Sequence, residues 1–172
     1  MEIHLYLEYN NFNIKQLYKM PKTFKKRSAN AVTRKNRSTG SSSMSEFQKQ
    51  ITVEFLEILM MVKLFHWKTH SYATHKATDD LYDSLNKHID HFIEVLLGKT
   101  GSRIDLMSKK TISLFDLNSL ESLKSKITSF KSYLVGLDKN KALSTMSNSD
   151  LFNIRDEILG DLNQFLYLLT FK

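Results

Sequence analysis

The chain has 172 residues, 41% of them hydrophobic and 25% charged, enough for one ordinary core and too few for two comfortable domains. It contains no cysteine, which excludes disulfides and thiolate ligands together and leaves imidazole and carboxylate as the donors for any metal. The formal charge of +7 is unevenly placed: residues 1–44 hold nine Lys and Arg against two Glu, and residues 45–172 hold sixteen basic against sixteen acidic side chains.

In chain order, MEIHLYLEYNNFNIKQLYK opens with an alternation that reads as a short strand, a piece with no evident partner. One simple expectation is that the working protein begins at Met20. Residues 20–44 carry seven basic side chains, no acidic ones, the only proline and a Gly-Ser run. Such a segment buries too little apolar area to offset its chain entropy and is expected to be disordered. Lys22, Lys25, Lys26, Arg27, Arg34, Lys35 and Arg37 are its candidate nucleic-acid contacts, through phosphate neutralisation without base specificity. A nuclear address or simple solvation are the competing readings of the same clusters. The boundary is set at 44, with the folded domain over 45–172.

From Ser45 onward there is no proline, and apolar residues recur at helical spacing. Four helices are predicted, near 46–68, 73–97, 118–136 and 149–170. Phe55, Leu59 and Val62 mark the inner stripe of the first, and Leu81, Leu85, Ile89, Phe92 and Leu96 that of the second. Ser71 and its neighbours form a short turn, and Gly98 with Gly101 ends the second helix. Leu117, Leu120, Leu123, Ile127, Phe130 and Leu134 mark the third, and Leu151, Ile154, Ile158, Leu162, Phe165 and Leu169 the fourth. These elements predict an all-α fold, an antiparallel four-helix bundle, with a connection from 98 to 117 long enough to hold a short extra helix. With no apolar run of about 18 residues and no secretory leader pattern, the expected location is cytoplasmic, nucleoid or nuclear, without membrane or secretion.

The second helix carries most of the ligand-type residues. His75, Asp79, Asp90 and Glu94 fall within one third of its circumference, expected to border the buried face. His75 and Asp79 are four apart, as are Asp90 and Glu94, so each pair can converge on an ion. Eleven residues separate Asp79 from Asp90, about 16 Å along the axis, too far for one metal centre on one chain. An antiparallel copy across a two-fold axis would bring the pairs together, so the spacing suggests a dimer with two shared sites. His66 continues the inner stripe of the first helix and points toward the same place. His88, His91, Asp80 and Asp83 read as solvated surface, with an accessory metal role as the alternative, and Glu157 and Asp161 on the last helix read as surface charges.

His66-Trp67 followed by His75-x3-Asp79-x10-Asp90-x3-Glu94 resembles the DNA-binding protein from starved cells (Dps), a branch of the ferritin-like superfamily. The resemblance implies that His66, His75 and Asp79 bind iron from one subunit, with Asp90 and Glu94 supplied by its two-fold mate and Trp67 walling the site. It implies oxidation of Fe(II), preferentially by hydrogen peroxide, and storage of the ferric product in a shell of up to twelve subunits. Zinc and manganese suit the same donors. The segment between the two histidines is three residues shorter than is typical of that family, which leaves His70 as a substitute ligand. The basic tail is then expected to hold the assembly on DNA. The alternative is a non-catalytic helical dimerisation scaffold with a nucleic-acid-binding tail. Gly98-Lys99-Thr100 is no phosphate loop, since position 93 is Ile where that motif needs Gly. No Glu-x-x-His occurs, so an intrasubunit di-iron site of the ordinary ferritin kind is not supported.

Overall fold

A computed structural model describes residues 38–171 except 107 and 110, with side chains from 43 onward. The basic candidates from Lys22 to Arg37, and the strand expected at the amino terminus, lie outside the described residues. The described elements are α1 (Ser38–Lys68), α2 (Tyr72–Thr100), α3 (Leu120–Gly136) and α4 (Ser149–Leu168), with short 3-10 turns at Leu137–Lys139 and Leu143–Thr145.

Helix α1 begins at Ser38 rather than near 46, so it takes in the Gly-Ser run assigned to the tail. Extending an existing helix costs far less than nucleating one, and Phe47 and Gln48, both buried, with Met44 packed on the core, anchor its first described turns. The turn after α1 is short because Ser71 caps α2, its hydroxyl accepting the Thr74 N–H at 3.3 Å. At the other end Gly101 takes a left-handed φ of 61°, the conformation that lets the chain leave a helix without a Cβ penalty. Gly98 stays within the helix. Helix α3 starts in a capping box of Ser119 and Ser122.

The predicted inner stripes are buried except at their ends, where Leu117, Leu120 and Leu169 are half-buried against the core. Phe55 and Val62 of α1, Leu85, Phe92 and Leu96 of α2, Leu123 and Ile127 of α3, and Leu151, Ile158 and Leu162 of α4 are all essentially inaccessible. Phe55 stands at the centre, edge-on to Phe92 at 5.3 Å and to Phe130 at 6.2 Å between centroids. It therefore joins three helices at one point.

The helices pack in the ring order α1, α2, α4, α3, with α1 also against α3. Residues 101–119 hold no helix among those described and instead run back along α1. Near its start Gln48 donates to Thr100 and Ser102; further on the Ser113 N–H donates to Glu57, and Lys68 meets Asp116 and Asn118 at the far end of α1. Helix α3 thus starts at the end where α2 starts and runs parallel to it, diagonally across the bundle. Each neighbouring pair is antiparallel, as His88 with Asp161 and Lys99 with Asp150 record for α2 and α4. No described helix is long and apolar enough to cross a membrane.

Candidate metal centre

The α1–α2 turn brings His66 and His75 together. Their rings stack at 3.9 Å between centroids, 24° from parallel. His66 Nδ1 lies 3.0 Å from the His75 carbonyl, and His75 Nδ1 lies 3.1 Å from the His66 carbonyl. A carbonyl only accepts, so each Nδ1 carries a proton, and each Nε2 is free of that contact. The two residues clasp one another through ring and backbone, and both free nitrogens belong to one stacked pair.

Asp79, one helical turn beyond His75, comes within 3.9 Å of His66 Nε2. That is too long for a hydrogen bond. Two bonds of about 2.1 Å to a shared ion span about 3.4 Å at a tetrahedral angle and about 4.2 Å when linear, so the gap fits an ion between them. Metal-bound histidines ordinarily donate their second ring N–H to a carbonyl or carboxylate, and both histidines here already do so.

Thr78 is the residue that sequence reasoning missed. It is fully buried, its hydroxyl bonding the carbonyls of Thr74 at 2.8 Å and His75 at 2.9 Å while lying 3.3 Å from His66 Nδ1. The signal was there: Thr74 and Thr78, four apart, sit on the α2 stripe that continues into Leu81 and Leu85, where apolar residues are the rule. Replacing Thr78 by Val keeps the branched shape and removes the hydroxyl that holds His66 and the His75 carbonyl. Urea unfolding should show a loss of about 1–2 kcal/mol, with a smaller loss for Thr78→Ser.

The other predicted ligands lie apart from this cluster within one chain. Asp90 and Glu94 are exposed further along α2 and have no hydrogen-bond or ion-pair partner among the described residues. His75 is exposed and Asp79 half-exposed, so the stripe lies on the outer side of the bundle, further from the buried face than expected. The reason is the packing: α2 is covered by α1 and α4 only. Trp67 is 68% exposed; the Lys63 ammonium lies 6.0 Å from its ring centroid and 4.6 Å from that of Tyr82. His70 is exposed and lines a separate cleft with Phe65, Leu117 and Leu120. Among the described residues, no three His, Asp or Glu side chains form a ready-made metal site.

A cavity of about 130 Å³ lies elsewhere, between α1, the crossover and α3, bordered by Glu54, Glu57, Phe115, Lys126 and Tyr133. Burial, and then the neighbouring Glu57, push the Glu54 carboxyl above the usual carboxylate range. The Tyr133 hydroxyl is buried there without a protein partner, in a space large enough for the ordered water that ordinarily satisfies such a group.

Residues 66–169, more than half of the chain, match the model of a family of unknown function, DUF5856. The chain belongs to that family. Its matched span opens on His66 and takes in α2, α3 and α4 with the crossover, so the clasped histidines, Asp79, Asp90 and Glu94 all lie inside the DUF5856 region. No curated protein and no solved structure matches the chain, and so no Dps or ferritin homologue is found.

Proposed function

We propose that this DUF5856 chain is a Dps-like iron oxidase whose substrate, Fe(II), binds where two chains meet. His66, His75 and Asp79 of one chain are one half of the site, and Asp90 and Glu94 of a two-fold mate the other. The observation that carries the reading is the reciprocal histidine clasp beside Asp79: each Nδ1 is engaged with a carbonyl, which leaves the Nε2 atoms as the available metal donors. The exposed, unpartnered Asp90 and Glu94 support it, because carboxylates belonging to another chain's site would look this way in a single chain. Leu56, Met60 and Trp67 give the outer face of α1 apolar surface beside the same stripe, suited to a second copy.

The carboxylates favour Fe(III) over Fe(II) and so ease electron loss, while the neutral histidines complete the donor set without adding charge. Two Fe(II) give one electron each to hydrogen peroxide; the O–O bond breaks and two protons complete two waters. Zinc or manganese at the same donors is the non-redox variant of this reading. Association with DNA through Lys22 to Arg37, and a larger shell, are further parts of the same proposal.

The test is anaerobic Fe(II) titration of the purified protein followed by a peroxide pulse, with ferric absorbance recorded beside a His75→Ala, Asp79→Ala variant. Near-stoichiometric binding and fast oxidation, lost in the variant, are expected. Oxidation equal in both proteins would leave the dimerisation scaffold with a nucleic-acid-binding tail as the better account.

A further inference from the structure

On the side of α2 facing α4, away from the His66 cluster, His88 and Asp161 are each only 20% exposed at their side chains. Both had been expected on solvated surface. They are drawn in because α4 packs along α2, and the pairing spans 73 residues of sequence. His88 Nδ1 lies 2.7 Å from Asp161 Oδ2. The ionised carboxylate only accepts, so Nδ1 carries a proton. The other nitrogen, Nε2, lies 3.7 Å from Glu157 Oε2.

That distance is that of a loose ion pair if His88 is protonated, and it also suits two donors of one ion. It is beyond a direct hydrogen bond. A water bonded to both atoms at about 2.8 Å would hold them about 4.6 Å apart at a tetrahedral angle. One metal ion with bonds of about 2.1 Å would hold them about 3.4 to 4.2 Å apart, and the observed gap falls in that range. A carboxylate on the far nitrogen, fixing ring orientation and tautomer, is the companion that metal-bound histidines ordinarily have.

We propose that His88 and Glu157 form a second metal site, for a divalent transition ion of the zinc or cobalt type, with Asp161 as the positioning residue. The donors are one imidazole and one carboxylate with water completing the shell, a set that suits borderline ions. Its ligands come from different helices, so an ion there ties α2 to α4. It shares no residue with the His66 cluster and stands whether or not iron is oxidised there.

The experiment is Co(II) titration of the full chain, following the visible ligand-field bands, in the His75→Ala, Asp79→Ala background. One Co(II) per chain should remain, displaced by Zn(II). Glu157→Gln should weaken binding at least tenfold and His88→Ala should abolish it. Asp161→Asn should keep the stoichiometry and lose about 10- to 100-fold in affinity, the signature of an orienting partner. Glu157 is more than half exposed, so its variant keeps the fold even where His88→Ala does not. Absence of Co(II) binding in that background, or binding unchanged by Glu157→Gln, overturns the proposal and leaves a protonated histidine shared between two carboxylates. Loss of iron oxidation with Co(II) binding retained separates the two sites.

Discussion

Two variants that are each inactive should restore activity when mixed. His75→Ala, Asp79→Ala removes one half of the proposed iron site and Asp90→Asn, Glu94→Gln the other. Alone, each should oxidise Fe(II) at least about 100-fold more slowly than the parent chain, a loss of about 2.7 kcal/mol in barrier. Unfolded and reassociated at equal concentration, random pairing yields half mixed dimers, and each contains one intact site and one doubly damaged one. About a quarter of the parent activity should return. A site built within one chain cannot complement, so no recovery in a mixture shown to exchange subunits would remove the shared arrangement. The exposed positions of Asp90 and Glu94 make this pair of substitutions gentle on the fold, so activity and stability can be read separately.

Phe55→Ala should be the most damaging single change to stability. The ring is 1% exposed and contacts aromatic rings from α2 and α3 edge-on, so its removal opens a cavity where three helices meet. Truncations of this kind cost about 3–5 kcal/mol, a large share of the 5–15 kcal/mol typical of a domain. Denaturant unfolding should show the midpoint falling without a change in slope, and the melting temperature should drop by about 10 °C or more. Phe55→Leu, which keeps most of the volume, should cost well under half as much. Equal losses in the two variants would show that the aromatic contacts, and not the filled space, carry the stability.

The helices were legible because their signals are local. Ser71 and Gly101 bound α2 close to the predicted limits, and every apolar residue assigned to its inner stripe is buried. His66 pointed inward as the continuation of the α1 stripe and is buried. What was not legible depends on the meeting of distant segments. His88 looked like one more polar residue on a charged helix until α4 supplied Asp161 and Glu157. The path of the crossover is set by Glu57 and Lys68 on α1, contacts with distant residues that its own sequence does not show. The start of α1 was misplaced because Gly and Ser are poor helix formers, and propagation from Met44 and Phe47 outweighs that weak preference. The histidine clasp depends on a short turn: only a hairpin this tight lets two side chains nine residues apart each reach the other's carbonyl.

The crossover also divides the chain into two helical hairpins, α1–α2 and α3–α4, whose only covalent link is a strap without helix among its described residues. The strap is held by side-chain contacts at the surface, while the hairpins are held to each other by the shared core around Phe55. A protease nick in the strap would therefore cut the polypeptide and leave the particle whole, and the two fragments, made separately, are natural candidates for reassembly. In that sense the molecule is a covalently tethered heterodimer of hairpins, with both clasped histidines carried by the first.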